Sequence, residues 1–184
     1  MSKQYWKDFW KLLKPTAFAE FCAEDKIFNS IQTLVDIGCG MGRDTVFLSK
    51  YCKSTTGVDY AITPVINAPG VSFKRISLKE LVQTPCVYDA VYARFFLHLV
   101  SLVERLKLLR WTKRIFMAEW RDKEDCPDNW VNPDHERYLL DSGQFKEIVI
   151  KEGFTIYHFS VGRGRAKYRK EDPLVGRIIC ERIR

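Results

Sequence analysis

Three glycines with alternating spacing, Gly38, Gly40 and Gly42, directly follow the apolar run Thr33–Ile37. A strand that ends in glycines and leads into a helix lets a ligand approach bare backbone, and it points the helix N-terminal N–H groups at that ligand. Asp59 closes the next apolar run, 21 positions after Gly38, where a carboxylate can accept hydrogen bonds from both hydroxyls of a ribose. This order of elements predicts a cofactor site.

A second carboxylate, Asp36, lies inside the first apolar run, two positions before Gly38. Burying a carboxylate is costly unless it meets a cation or several hydrogen-bond donors. A ligand that carries a sulfonium and an ammonium group would supply such positive charge. The alternative is that the glycines form only a tight turn and that Asp59 only ends a strand. The combined order of strand, glycines, helix, strand and acid favours the cofactor site.

Polar and aromatic side chains follow the fourth and fifth predicted strands, at residues 94–98 and 119–125. In open α/β sheets, ligands bind beyond the carboxyl ends of the strands. His98 is a candidate general base because its ordinary pKa lies near neutral pH, although a lone histidine among apolar neighbours is often structural. Carboxylates here could bind a divalent ion, or the segment could be a solvated loop with surface ion pairs. The candidate catalytic residues are Arg94, His98, Glu119, Asp122 and His135, with Glu119 and Asp122 as candidate metal ligands.

Short β-branched and aromatic runs alternate with helical patterns along most of the chain. The predicted strands are Thr33–Ile37, Thr55–Val58, Val71–Phe73, Val87–Ala93, Arg114–Ala118, Phe154–Val161 and Leu174–Glu181. The predicted helices cover residues 4–13, a segment from Pro15 through Cys22, Thr45–Tyr51, two segments that begin with capping boxes at Ser77 and Ser101, and Asp141–Glu152. The alternation predicts a doubly wound α/β domain over residues 1–184, with a mostly parallel sheet that ends in an antiparallel hairpin.

The composition is that of an ordinary folded protein, with 184 residues of which 46% are hydrophobic and 29% charged. The six cysteines form no C-x-x-C pair, which argues against a zinc or redox site. We expect a cytoplasmic protein, because the sequence shows neither a secretory leader nor a membrane span. The net charge of +7 is concentrated near the C-terminus, which indicates either an anionic partner such as nucleic acid or a solvated surface.

The run Val35–Gly42, followed by Gly57-Val58-Asp59, resembles the class I S-adenosylmethionine methyltransferases. The resemblance implies a Rossmann-like, seven-stranded sheet and S-adenosylmethionine as the cofactor. It also implies that helices within residues 1–30 cover the cofactor and substrate site. Arg43 is a candidate for the methionine carboxylate or an exposed helix residue, and Ser77 stands where the family usually has an acid near the adenine. The implied cofactor-binding residues are Asp36, Gly38, Gly40, Arg43, Asp59, Tyr60, Ser77 and Arg94.

A looser resemblance joins scattered segments of the second half of the chain. These are residues 93–98, 119–121, 135–137, 166–168 and 171–173. Together they look like a subgroup of glycan O-methyltransferases found with polysaccharide biosynthesis, which implies a sugar hydroxyl as acceptor and work beside glycosyltransferases. Two alternatives remain: an RNA or small-molecule methyltransferase, and a cofactor-binding subunit without activity of its own.

Overall fold

The computed structural model describes residues 14–61, 64, 66–125, 138, 140–167 and 172–182. The predicted helix over residues 4–13 lies outside this set. Among the described residues, no helix is both long and apolar enough to cross a membrane.

Seven strands form one mixed sheet in the order β3-β2-β1-β4-β5-β7-β6. The strands are β1 Thr33–Ile37, β2 Ser54–Asp59, β3 Val71–Arg75, β4 Ala90–Arg94, β5 Ile115–Arg121, β6 Phe154–Gly162 and β7 Val175–Arg182. The pairs among β1–β5 are parallel, whereas β7 pairs antiparallel with both β5 and β6. The predicted fold, a doubly wound sheet that ends in an antiparallel hairpin, is confirmed.

Five helices accompany the sheet in the described part of the chain. They are α1 Ala17–Glu24, α2 Arg43–Leu48, α3 Leu78–Leu81, α4 Leu102–Trp111 and α5 Ser142–Lys151, and short 3-10 helices cover Lys26–Ser30, Leu97–Leu99 and Lys123–Asp125. Both predicted capping boxes are present, at the starts of α3 and α4. The Asp141 side chain caps α5 by accepting a hydrogen bond from the N–H of Gln144.

Each face of the sheet is covered by its own set of helices. One core contains buried residues of α3, α4 and α5, such as Leu81, Leu108 and Phe145. The other contains residues of α1 and α2, such as Phe18 and Leu48. The carboxyl ends of the parallel strands therefore lie between two helical layers, and the predicted site is at these ends.

Strand β4 begins later than the predicted Val87. Val87 is exposed, and the side chain of Asp89 accepts hydrogen bonds from the N–H groups of Gln32 and Thr33. The N–H of Asp89 also donates to the carbonyl of Thr33 at 3.0 Å, so Asp89 is tied to the start of β1 by its side chain and its backbone, although β4 itself begins at Ala90.

A buried carboxylate fastens α1 to the rest of the molecule. Asp44 accepts hydrogen bonds from the N–H (2.9 Å) and the hydroxyl (2.7 Å) of Thr16 and from the hydroxyl of Tyr92 (2.9 Å). Thr16 in turn caps α1, because its hydroxyl accepts a hydrogen bond from the N–H of Ala19. One side chain at the start of α2 therefore holds both α1 and the middle of β4.

We expect Asp44→Ala to lower the free energy of unfolding by roughly 3 kcal/mol, because it leaves the donors of Thr16 and Tyr92 buried without an acceptor. Tyr92→Phe, which removes one donor and leaves the carboxylate its two bonds from Thr16, should cost about 1 kcal/mol. Urea unfolding of the two variants measures the difference. Equal, small losses would contradict the role given to Asp44.

Candidate functional site

The turn after β1 lies against backbone at the carboxyl end of β2. The N–H groups of Gly38 and Cys39 both donate to the carbonyl of Val58, at 2.8 and 3.1 Å. Gly38 has a φ of 72°, and a Cβ atom placed on it would lie 2.7 Å from a ring carbon of Phe96. A side chain at position 38 would therefore be strained by its backbone and would collide with the neighbouring loop.

Two hollows meet at Gly38. The apolar hollow, of about 320 Å³, is lined by Gly38, Asp59, Tyr60, Ile76, Leu78 and Phe96 among others. The charged hollow, of about 370 Å³, is lined by Asp36, Gly38, Gly40, Arg43, Asp44 and Arg94 among others. Each has the size of a small-molecule site. An elongated ligand with one flat apolar end and one charged end would fit the pair.

Asp59 is held rigidly at the border of the apolar hollow. Its carboxylate accepts hydrogen bonds from the N–H of Gly40 at 3.0 Å and from the N–H of Ala61 at 2.8 Å. A carboxylate has about four lone-pair positions, so these bonds orient Asp59 without exhausting its acceptor capacity. Tyr60, next along the chain, is 72% exposed and lines the same hollow.

Asp36 is buried in the charged hollow and accepts a hydrogen bond of 2.6 Å from the hydroxyl of Thr45. Burial and the nearby carboxylate of Asp44 raise the pKa of Asp36 to about 7. The positive charge of Arg94 acts in the opposite direction, but more weakly. Asp36 is therefore poised to ionise when a positively charged group enters this hollow.

Arg43 lies beside the same hollow, with its Nε atom 4.0 Å from the carboxylate of Asp44 and its side chain 40% exposed. This position agrees with contact to an anionic end of the ligand, which stays a prediction.

Ser77 does not line the apolar hollow. Its N–H and hydroxyl both donate to the carboxylate of Glu80, at 2.9 and 2.6 Å, because Ser77 is the N-cap of α3. Its neighbours Ile76 and Leu78 supply the wall instead. The capping box occupies the polar groups of Ser77, and contact between Ser77 and the ligand stays a prediction.

Glu119 lies between two arginines on the α1 face of the sheet. One carboxylate oxygen accepts from the Nε atom of Arg94 at 2.9 Å, and the other accepts from the Nε atom of Arg177 at 2.7 Å. The Glu119 side chain is 1% exposed. With both oxygens used, Glu119 positions Arg94 at the wall of the charged hollow and is poorly placed to bind a metal.

Asp122 also has structural contacts. Its carboxylate accepts hydrogen bonds from the N–H and hydroxyl of Ser142 at the start of α5, and from the N–H of Glu124. The described residues contain no group of three or more histidine, cysteine or acidic side chains that could hold a metal ion. The contacts seen for Glu119 and Asp122 are with protein groups, and metal ligation by these two residues stays a prediction.

The loop after β4 carries Phe95 and His98. Phe95 has a φ of 52°, a strained conformation for a residue with a side chain, and the guanidinium of Arg94 lies 4.3 Å from its ring centroid. His98 is buried in the short 3-10 helix, its ring 6.0 Å from that of Phe95, and its carbonyl accepts from the N–H of Tyr138. His135 lies outside the described residues.

Sequence reasoning missed Arg177, Phe95 and Phe96. In the sequence Arg177 is one of several basic residues near the C-terminus, and nothing there pairs it with Glu119. The positive φ of Phe95 has no signal in the sequence either, because that backbone region favours glycine.

No family model matches the sequence, and no curated protein matches it. Solved structures do match. A protein from Listeria monocytogenes assigned as an S-adenosylmethionine-dependent methyltransferase superposes with a TM-score of 0.69 at 16% identity, covering 91% of this chain and 98% of its own. Magnesium protoporphyrin IX methyltransferase from Synechocystis PCC 6803, with bound SAH, gives 0.65 at 13% identity, covering 90% of this chain and 80% of its own.

A third solved structure, an S-adenosylmethionine-dependent methyltransferase from Mesorhizobium loti, gives a TM-score of 0.65 at 15% identity. The match covers 89% of this chain and 100% of that one. At these identities the likeness concerns the fold, and the chain has the fold of the S-adenosylmethionine-dependent methyltransferases.

Proposed function

We propose that this protein is an S-adenosylmethionine-dependent methyltransferase that methylates a sugar hydroxyl on a glycan. The observation that carries the proposal is the pair of hollows that meet at Gly38, one apolar and bordered by Asp59, the other charged and containing Asp36. Their chemistry matches the two ends of S-adenosylmethionine. The fold supports the methyltransferase part of this proposal.

The residues of the two hollows divide the binding of the cofactor between them. Asp59 is placed to accept hydrogen bonds from the ribose hydroxyls, and Tyr60 with Leu78 borders the space for the adenine. Asp36 would balance the positive charge of the methionine end, and Arg43 would meet its carboxylate. The bound cofactor supplies an activated methyl group, so the protein has mainly to align the acceptor and exclude water.

The acceptor is proposed to approach from the loops after β4 and β5. A sugar hydroxyl is a poor nucleophile until it loses a proton, which calls for a base. We propose His98 for this role, since it lies in the loop after β4 with its ring 6.0 Å from that of Phe95. The choice of a glycan as the acceptor rests on the scattered resemblance in the second half of the chain and on this combination of aromatic and polar side chains.

The RNA alternative depends on the basic run from Arg163 to Lys170. In the described part of this run, Arg163 donates to the carbonyl of Asp172, and Arg165 donates to the hydroxyl of Ser160. These contacts engage Arg163 and Arg165 with neighbouring oxygens of the protein, so they do not favour RNA over a smaller acceptor.

The proposal is tested by methyl transfer from labelled S-adenosylmethionine to rhamnose- and mannose-type glycans, with total RNA as the competing acceptor. We expect label in a glycan, and turnover by His98→Gln reduced on the order of a hundredfold or more, with cofactor affinity unchanged. Unchanged turnover would remove His98 as the base, and label in RNA alone would overturn the glycan. Binding of the cofactor with no transfer to any acceptor would favour a non-catalytic subunit.

The affinity for the cofactor should depend on pH through Asp36. Because the pKa of Asp36 is about 7 and the cofactor brings positive charge, binding requires the ionised carboxylate. The affinity for S-adenosylmethionine should therefore rise at least tenfold between pH 5.5 and pH 7.5. In Asp36→Asn it should be weaker at pH 7.5 and nearly flat over this range. Isothermal titration calorimetry at the two pH values measures both effects.

The control is the stability of the same two proteins without ligand. A carboxyl group whose pKa is raised on folding binds more protons in the folded state, so the contribution of Asp36 to wild-type stability falls as the pH rises from the ordinary value of 3.8 to about 7. Asp36→Asn lacks this loss and should be the more stable protein at pH 7.5. An Asn variant that is less stable there would contradict the raised pKa.

A further inference from the structure

A row of charged and polar side chains crosses four neighbouring strands at their site-facing end. Arg94 on β4 is in register with Glu119 on β5, Glu119 with Arg177 on β7, and Arg177 with Ser160 on β6. We call these four residues the edge row. The guanidinium of Arg177 lies 5.5 Å from the ring centroid of Phe18 and 5.4 Å from that of Phe21, which places the row under α1.

The edge row holds one carboxylate and two guanidinium groups. Both oxygens of Glu119 are taken, one by Arg94 and one by Arg177. The Glu119 and Arg177 side chains are 1% and 9% exposed, so this part of the row is shielded from solvent, whereas Arg94 is 20% exposed. The edge row by itself therefore carries one net positive charge, and the carboxylates of Asp36 and Asp44 line the charged hollow together with Arg94.

Arg165 adds a second positive charge at the other end. Its Nη1 atom donates to the hydroxyl of Ser160 at 2.7 Å, and its carbonyl accepts from Arg177 at 3.4 Å. Within the described ranges, no carboxylate forms an ion pair with Arg165. Partial burial and the charge of Arg177 lower the pKa of Arg165, and the charge of Glu119 acts in the opposite direction but more weakly.

His158 does not change this balance. Its ring nitrogen Nε2 lies 2.7 Å from the hydroxyl of Ser160, and its ring packs against Phe21. Burial, Arg165 and Arg177 lower the pKa of His158, so it is neutral at pH 7. The edge row and Arg165 together thus carry three guanidinium groups and one carboxylate, and Arg94 and Arg165 are the more accessible ends.

We infer that the edge row and Arg165 form an acceptor subsite for an oxyanion, a carboxylate or a phosphate, on the sugar that is methylated. The inference rests on the proposed function, because Arg94 also lines the charged hollow and so joins the subsite to the place of the methyl donor. A guanidinium presents paired N–H donors that match the geometry of carboxylates and phosphates. Partial shielding from water strengthens their attraction for an anion.

The test uses protein loaded with S-adenosylhomocysteine and three sugars of similar size: glucose, glucuronate and glucose 6-phosphate. Calorimetric titration should show at least tenfold tighter binding of glucuronate or glucose 6-phosphate than of glucose, and the tighter of the two identifies the oxyanion. Arg165→Gln keeps a donor for Ser160 but removes the charge, and it should abolish the preference without changing affinity for S-adenosylhomocysteine.

Lys167→Gln is the matched control, since it removes one charge from an exposed side chain two positions away. It should retain the preference. If neither oxyanion binds more tightly than glucose, or if both variants lose the preference equally, the oxyanion subsite is wrong. If the protein does not bind S-adenosylmethionine as proposed, it will not load with S-adenosylhomocysteine before any sugar is added. This outcome is therefore distinguished from a failure of the oxyanion subsite.

Discussion

The N–H of Gly40 donates to the carboxylate of Asp59, and this hydrogen bond connects the turn after β1 to the end of β2. The turn can approach β2 so closely because its residues adopt backbone conformations that favour glycine, with φ values of 72° at Gly38 and 76° at Gly42. Phe96 fills the space that a side chain at position 38 would need. Both hollows of the proposed cofactor site border this turn, so their shape depends on it.

The second constraint is the antiparallel insertion of β7 between β5 and β6. It brings Arg177 opposite Glu119, 58 positions earlier in the chain, and Glu119 in turn fixes Arg94 at the wall of the charged hollow. The proposed donor and acceptor sites therefore share one side chain. A change in the pairing of β7 would alter both of these sites.

The sequence predicts the succession of strands and helices along the chain, the antiparallel ending and most helix starts, because these depend on local patterns such as capping boxes and apolar runs. It also locates the edge of the sheet at which Gly38, Asp59 and Arg94 meet. It does not predict what Glu119 contacts, since the register of β5 and β7 is set by packing between distant segments. The sequence also does not decide between a capping role and a ligand contact for Ser77, because both can use the same hydroxyl.

The central claim is that the apolar and charged hollows together bind the cofactor through Asp59. Calorimetric titration with S-adenosylhomocysteine tests it most directly, with Asp59→Ala compared with Glu80→Ala, which removes a carboxylate from the α3 capping box outside the hollow. We expect binding by the wild type and by Glu80→Ala, and at least tenfold weaker binding by Asp59→Ala, because two charge-assisted hydrogen bonds to the ribose are lost. No binding by the wild type, or equal affinity in Asp59→Ala, would contradict it.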